Sequence, residues 1–95
     1  MIELTEKQLM AELVDLLERF GWLVYHTFDS RRSAPGFPDL IAVKGGRMLA
    51  LEIKSSTGVV TRDQRSWLTA FAAVPGVLAY VVRPADDLSE LAAIL

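Results

Sequence analysis

Apolar positions in the first twenty residues fall three and four apart. Met10, Leu13, Leu17 and Phe20 form the stripe of an amphipathic helix. Thr5-Glu6-Lys7-Gln8 reads as a capping box that opens it, Leu4 and Leu9 stand where a hydrophobic staple would bracket the cap, and Gly21 stops it. One step further back the stripe reaches Glu6, which directs that acid along the inward face. Glu12, among Gln8, Asp15, Leu16 and Arg19, falls on a solvated flank. The pattern then changes. Trp22 to Phe28 is aromatic and β-branched, as in a strand, and Asp29 to Gly36 is a loop. Asp39–Val43 and Met48–Lys54 are apolar on both faces and flank Gly45-Gly46, a pair that accepts the positive φ angles of a tight hairpin. A strand pair without a polar face is predicted to lie centrally, covered by helices on both sides.

Ser55 to Val60 reads as a turn. Thr61-Arg62-Asp63-Gln64 is a second capping box, opening a helix to about Ala73 that carries Trp67, Leu68 and Phe71. Pro75-Gly76 ends it, Val77–Arg83 is a last strand, and Asp87 to Glu90 starts a short C-terminal helix. The order αβββαβα predicts one α/β domain over residues 1–95, a small mixed sheet flanked by helices.

The hairpin carries the candidate chemistry. A two-residue loop pairs Lys44 with Arg47, and counting outward from that pair puts Asp39 opposite Glu52. Opposed residues share a face with Cβ atoms roughly 4.5–5.5 Å apart, and alternation brings Lys54 onto that face too. Two acids facing each other among apolar residues repel, which a divalent cation such as Mg²⁺ would relieve; an adjacent Lys offers positive charge to a phosphoryl oxygen. The structural alternative has Asp39 capping a strand end, with Glu52 and Lys54 on a solvated edge.

Charge sharpens this picture. The net charge is −2, yet from Arg31 to Arg83 eight basic side chains stand against only Asp39, Glu52 and Asp63. A basic middle around two acids suits a polyanion. Arg31 and Arg32, in the loop before Asp39, are candidate phosphate contacts, as are Arg62 and Arg65; the alternative is a solvated charged loop. The absence of cysteine excludes disulfides and thiolate metal sites, and a single histidine, His26, excludes multi-His zinc chemistry from one chain. His26 reads as a packing or hydrogen-bonded residue. No apolar run is long enough to span a bilayer, and the acidic start is unlike a signal peptide, so no membrane partner and a cytoplasmic location are expected. Glu6 and Gln64 each have a structural alternative: complementing the helix dipole, and closing the capping box.

Together these residues resemble the PD-(D/E)XK nuclease superfamily, with Pro38-Asp39 as the PD element and Glu52-Ile53-Lys54 as ExK. More narrowly, the chain is similar to the small stand-alone virus-type replication-repair nuclease (VRR-NUC) domains of phages and bacteria. Gly36-Phe37-Pro38-Asp39-Leu40, Leu51-Glu52-Ile53-Lys54, Gly58, Thr61-x-x-Gln64 and an acid on the early helix carry that likeness. The resemblance implies a restriction-endonuclease-like αβββαβ core and hydrolysis of DNA phosphodiesters, branched or duplex, in replication, recombination or repair. It implies Mg²⁺ or Mn²⁺ held by Asp39, Glu52 and the Ile53 backbone carbonyl, with Glu6 completing the acidic set directly or through water and Glu12 as its competitor. Lys54 would orient or activate the attacking water, and Gln64 would hold that water or Lys54. A two-fold homodimer would place two such sites on opposite strands. The rival readings are a nucleic-acid-binding accessory protein without turnover, and the cleavage module of a restriction or mobile-element system.

Overall fold

The computed structural model describes residues 3–27, 34–86 and 88–95. Helix α1 (Glu6–Arg19) is followed by strands β1 (Leu23–His26), β2 (Leu40–Lys44) and β3 (Arg47–Ile53), helix α2 (Arg62–Ala72), strand β4 (Val77–Val82) and helix α3 (Leu88–Ile94). The order is the predicted one. The strands lie in one sheet in sequence order; β1–β2 and β2–β3 are antiparallel, and β3–β4 is parallel. The parallel step requires a crossover, which α2 supplies. Phe28 and Asp87, expected at the ends of a strand and a helix, lie outside the described residues. Among the described residues no helix is long and apolar enough to cross a membrane.

Both capping boxes form. The Thr5 side chain accepts from the Gln8 amide while Gln8 accepts from the Thr5 amide, and Thr61 and Gln64 repeat the exchange. In α1 the buried row is Leu9, Leu13 and Leu17, four apart, rather than the predicted Met10 to Phe20 stripe. Leu13 and Leu17 are common to both. Met10 is half-buried and Phe20 is exposed at the end of the helix, where the chain turns at Gly21 and inserts Trp22 into the core instead. The leucines of α1 pack on Leu40, Ala42, Leu49, Leu51 and Ile53, which share one sheet face; Leu88 and Leu91 of α3 join that layer. Arg47 ties α3 down: its guanidinium donates to the carbonyl oxygens of Ile94 and Leu95, both at 2.6 Å, and stacks 5.0 Å from the centre of the Trp22 ring.

The opposite face is less covered than its apolar pattern predicts. Strands β2 and β3 are central, but α2 lies mainly along β4 and contributes only half-buried apolar side chains. Leu23, Tyr25 and Val43, at the β1 side of that face, remain 75%, 56% and 37% exposed. A single helix is about 10–12 Å wide, so one that lies along β4 covers little more than two strands spaced about 4.8 Å apart and leaves the β1 side open.

The segment before β2 is locked onto α2. Trp67 Nε1 donates to the Pro35 carbonyl at 3.1 Å, and Phe37 meets the rings of Trp67 and Phe71 edge-on at 5.1 and 5.9 Å. Gly36, at φ +83°, lets the backbones touch: a Cβ there would stand 2.4 Å from the Asp63 carbonyl carbon. Gly46, in the hairpin turn, has a similar φ of +79° but open space around it. A left-handed side-chain-bearing residue costs roughly 1–2 kcal/mol at either position. Gly36→Ala is therefore expected to lower the thermal midpoint clearly more than Gly46→Ala, the excess reporting the contact with α2. Equal midpoints would contradict this packing.

Candidate active site

The hairpin register is the one its turn dictates. Lys44 pairs with Arg47 and Leu40 with Leu51, so Asp39, one residue before β2, stands opposite Glu52. Asp39 is fixed from both sides: its carbonyl accepts from the Thr27 amide at 3.0 Å, and its Oδ2 accepts from the Ile53 amide at 2.8 Å. Glu52 lies on the α2 side of the sheet and is 2% exposed. Gln64, in the first turn of α2, donates from Nε2 to Glu52 Oε2 at 3.1 Å, and Lys54 Nζ stands 3.8 Å from the same oxygen. With both acids ionised, Glu52 Oε1 is buried and has no hydrogen-bond partner.

An isolated anionic oxygen out of water is costly unless a positive charge or a proton meets it. In the metal-free protein a proton does. Burial first, then the Asp39 carboxyl, which shares a hydrogen bond with protonated Glu52 and repels its anion, push the Glu52 pKa from 4.5 up to about 8. The Lys54 charge opposes this and the Glu6 charge adds to it. A divalent cation fits the same place: two opposed carboxylates, one with a lone pair unsatisfied, are hard oxygen donors of the type Mg²⁺ and Mn²⁺ take. Among the described residues no three acidic or histidine side chains gather at metal-binding spacing, so the structure assembles a pair.

The other predicted residues divide by place. Glu6 is exposed, but it reaches the end of β3: its Oε1 accepts from the Ser55 amide at 3.1 Å, and its charge is felt by Glu52. Glu12 instead borders the groove between α1 and α3, beside Asp15, Arg19 and Leu88, so of the two helix acids Glu6 is the one at the site. Arg62 and Arg65 are exposed on α2; Arg31 and Arg32 lie outside the described residues. His26 pairs with Leu40 and so belongs to the α1 face, away from the acids. Sequence reasoning missed Arg83, whose guanidinium donates to the Ser55 and Gly58 carbonyl oxygens, each at 2.7 Å. Its only signal was a lone cation ending an apolar strand.

The raised pKa has a definite sign in stability. Between pH 4.5 and about 8 the folded protein holds a proton on Glu52 that the unfolded chain releases, so this contribution is full below pH 4.5 and is lost as pH rises through 8. Without metal, the thermal midpoint of the parent is expected to fall relative to that of Glu52→Gln from pH 5 to pH 8. Parallel melting curves for the two proteins would contradict the shift.

The VRR-NUC domain model matches residues 2–86 of the chain. No curated protein sequence matches it. Among solved structures, that of Hjc from Archaeoglobus fulgidus, a Holliday junction resolvase from an archaeal hyperthermophile, is similar at 28% identity and a TM-score of 0.55; the match covers 86% of this chain and 68% of Hjc. The αβββαβ core is thus the restriction-endonuclease-like fold that the PD and ExK elements imply, and with the family model spanning nearly all of its length the chain belongs to the VRR-NUC domain family of nucleases.

Proposed function

We propose that this protein is a divalent-metal-dependent endonuclease that hydrolyses phosphodiesters in branched DNA during replication, recombination or repair. The observation that carries the reading is the Asp39–Glu52 pair across the hairpin, with one buried carboxylate oxygen unsatisfied and Lys54 3.8 Å from the other. The likeness to Hjc, a Holliday junction resolvase, supports a junction as substrate. Encounter with DNA would take place in a bacterial or phage-infected cytoplasm.

Asp39, Glu52 and the Ile53 carbonyl would hold Mg²⁺ or Mn²⁺, with Glu6 acting through water. When bound, the ion supplies positive charge that stabilises the phosphorane-like transition state and makes water more acidic. The protein's own groups do the rest. Gln64 holds Glu52 Oε2 and leaves the buried Oε1 without a hydrogen-bond partner from the protein. Asp39 is kept in place by the Ile53 amide. Lys54 orients the attacking water and offsets charge on the non-bridging oxygens. Water adds to phosphorus, the bond to the 3′ oxygen breaks, and a proton passes to that oxygen, leaving 5′-phosphate and 3′-hydroxyl ends. Arg62 and Arg65, with Arg31 and Arg32, would grip flanking phosphates and make binding strongly salt-dependent. A two-fold dimer would set two such sites on the two strands of a branch.

The test is a panel of four-way, flapped, nicked and plain duplex DNAs in Mg²⁺ or Mn²⁺. Cleavage of a branched member is expected, with Asp39→Ala and Lys54→Ala each losing at least about 100-fold in rate. Cutting by Asp39→Ala equal to the parent would refute the mechanism. DNA binding with no cutting would leave an accessory protein instead. Calorimetry should register Mn²⁺ binding that disappears in Asp39→Ala and Glu52→Gln, and scattering on junction DNA should give two protein chains per complex; a single chain would refute the dimer.

A further inference from the structure

The sheet delivers Lys54 to the site, but pairing ends there. The Lys54 amide donates to the Val82 carbonyl at 3.0 Å, the last bond between these strands, and the chain then leaves β3 through a turn from Ser55 to Gly58. Within that turn the Gly58 amide donates to the Ser55 carbonyl at 3.3 Å and to Ser55 Oγ at 2.9 Å. Gly58 stands directly against Lys54: a Cβ added to it would come within 3.3 Å of Lys54 Cδ and 3.1 Å of Ser55 Oγ. The aliphatic stem of Lys54 therefore lies against this turn, which walls it on one side, with Nζ 3.8 Å from Glu52 Oε2.

Three charged side chains hold that wall. Glu6 Oε1 accepts from the Ser55 amide, and Glu3 Oε2 accepts from Ser56 Oγ, each at 3.1 Å. Arg83, directly after β4, donates from a single guanidinium nitrogen to both the Ser55 and Gly58 carbonyls at 2.7 Å, bridging the two ends of the turn in a half-buried setting. Arg83 is itself set by its own amide, which donates to Asp86 Oδ2 at 2.7 Å. Charged bonds to carbonyls are among the stronger hydrogen bonds, and here two converge on one short span.

We infer that Arg83 is a positioning residue: by clamping the Ser55–Gly58 turn against the Lys54 stem it holds Nζ beside Glu52, without touching substrate or metal itself. The inference rests on the proposed role of Lys54 in cleavage, yet the clamp can be tested without DNA.

Arg83→Met removes the donors and keeps most of the stem, while Arg83→Lys retains a cation able to reach the same carbonyls. In metal-free protein, amide hydrogen exchange at Gly58 and Ser55 should accelerate at least about tenfold in Arg83→Met, with exchange in β3 unchanged and Arg83→Lys closer to the parent. On a cleaved junction, kcat should fall about 10- to 100-fold with KM nearly unchanged, and Arg83→Lys should recover part of the loss. Mn²⁺ affinity should stay near that of the parent, because Asp39 and Glu52 are untouched. Gly58→Ala, which presses on the Lys54 stem with Arg83 intact, should lower kcat in the same way. Unchanged exchange at Gly58 in Arg83→Met overturns the clamp, whether or not the parent cuts DNA. Faster exchange with parental kcat overturns the positioning role alone. Accelerated exchange throughout β3 and β4 in Arg83→Met assigns Arg83 to general stability and overturns it as well; absence of cutting by the parent counts against the nuclease reading and leaves the exchange result to decide the clamp.

Discussion

The structure depends on the register of one hairpin. A two-residue reversal at Gly45-Gly46 fixes which residues of β2 and β3 oppose each other, and a slip of one position would turn every side chain to the other face of the sheet. Leu40, Ala42, Leu49, Leu51 and Ile53 would then leave the α1 leucines, and Asp39 would no longer face Glu52. The same register thus sets the core on one side of the sheet and the acid pair on the other. Burial of the five apolar side chains makes the unfavourable meeting of two carboxylates tolerable, because the pair cannot separate without exposing the core. Burial first, and then the hydrogen bond to Asp39 and the repulsion between the two acids, raise the proton affinity of Glu52.

The elements around the hairpin each bring one group to the end of β3. Helix α1 contributes Glu6 at its first turn, α2 contributes Gln64 at its first turn, and the residue after β4 contributes Arg83. All three sit at element ends, where side chains can reach across to the end of a strand, while the middles of the helices face the core or solvent. Polar groups therefore gather at one end of the sheet. At the opposite end Arg47 and Lys44 are occupied with backbone carbonyls of α3 and of the α1 terminus.

Much of this was legible in the residues. The capping boxes marked both long helices, the Gly-Gly pair fixed the register, and from the register the Asp39–Glu52 pairing followed by counting. What was not legible depended on tertiary choices. The predicted stripe and the buried row share Leu13 and Leu17 and differ only at their ends, where the way α1 meets the sheet selects Leu9 over Met10 and Trp22 over Phe20. The apolar pattern of β2 and β3 implied cover on both faces, but pattern carries no information about how much of the sheet one crossover helix covers. Gln64 presented a choice between capping and a place beside the acids, and its amide makes both contacts, accepting from the Thr61 amide and donating to Glu52. Arg83 gave no periodic or motif signal, because its partners are backbone oxygens distant in sequence.

That double use of Gln64 determines which way round its amide stands. The carbonyl end is committed to the Thr61 backbone, so only the nitrogen end can face Glu52, and the carboxylate meets a donor whether or not any cation is near. The first turn of α2 and the acid pair are in this way one mechanical part: unwinding that turn would withdraw the amide from Glu52 at the same moment. A glutamate in its place could still close the helix end, but it would bring a negative charge where Glu52 needs a proton donor, so the helix alone accepts either residue and the acid beside it selects the amide.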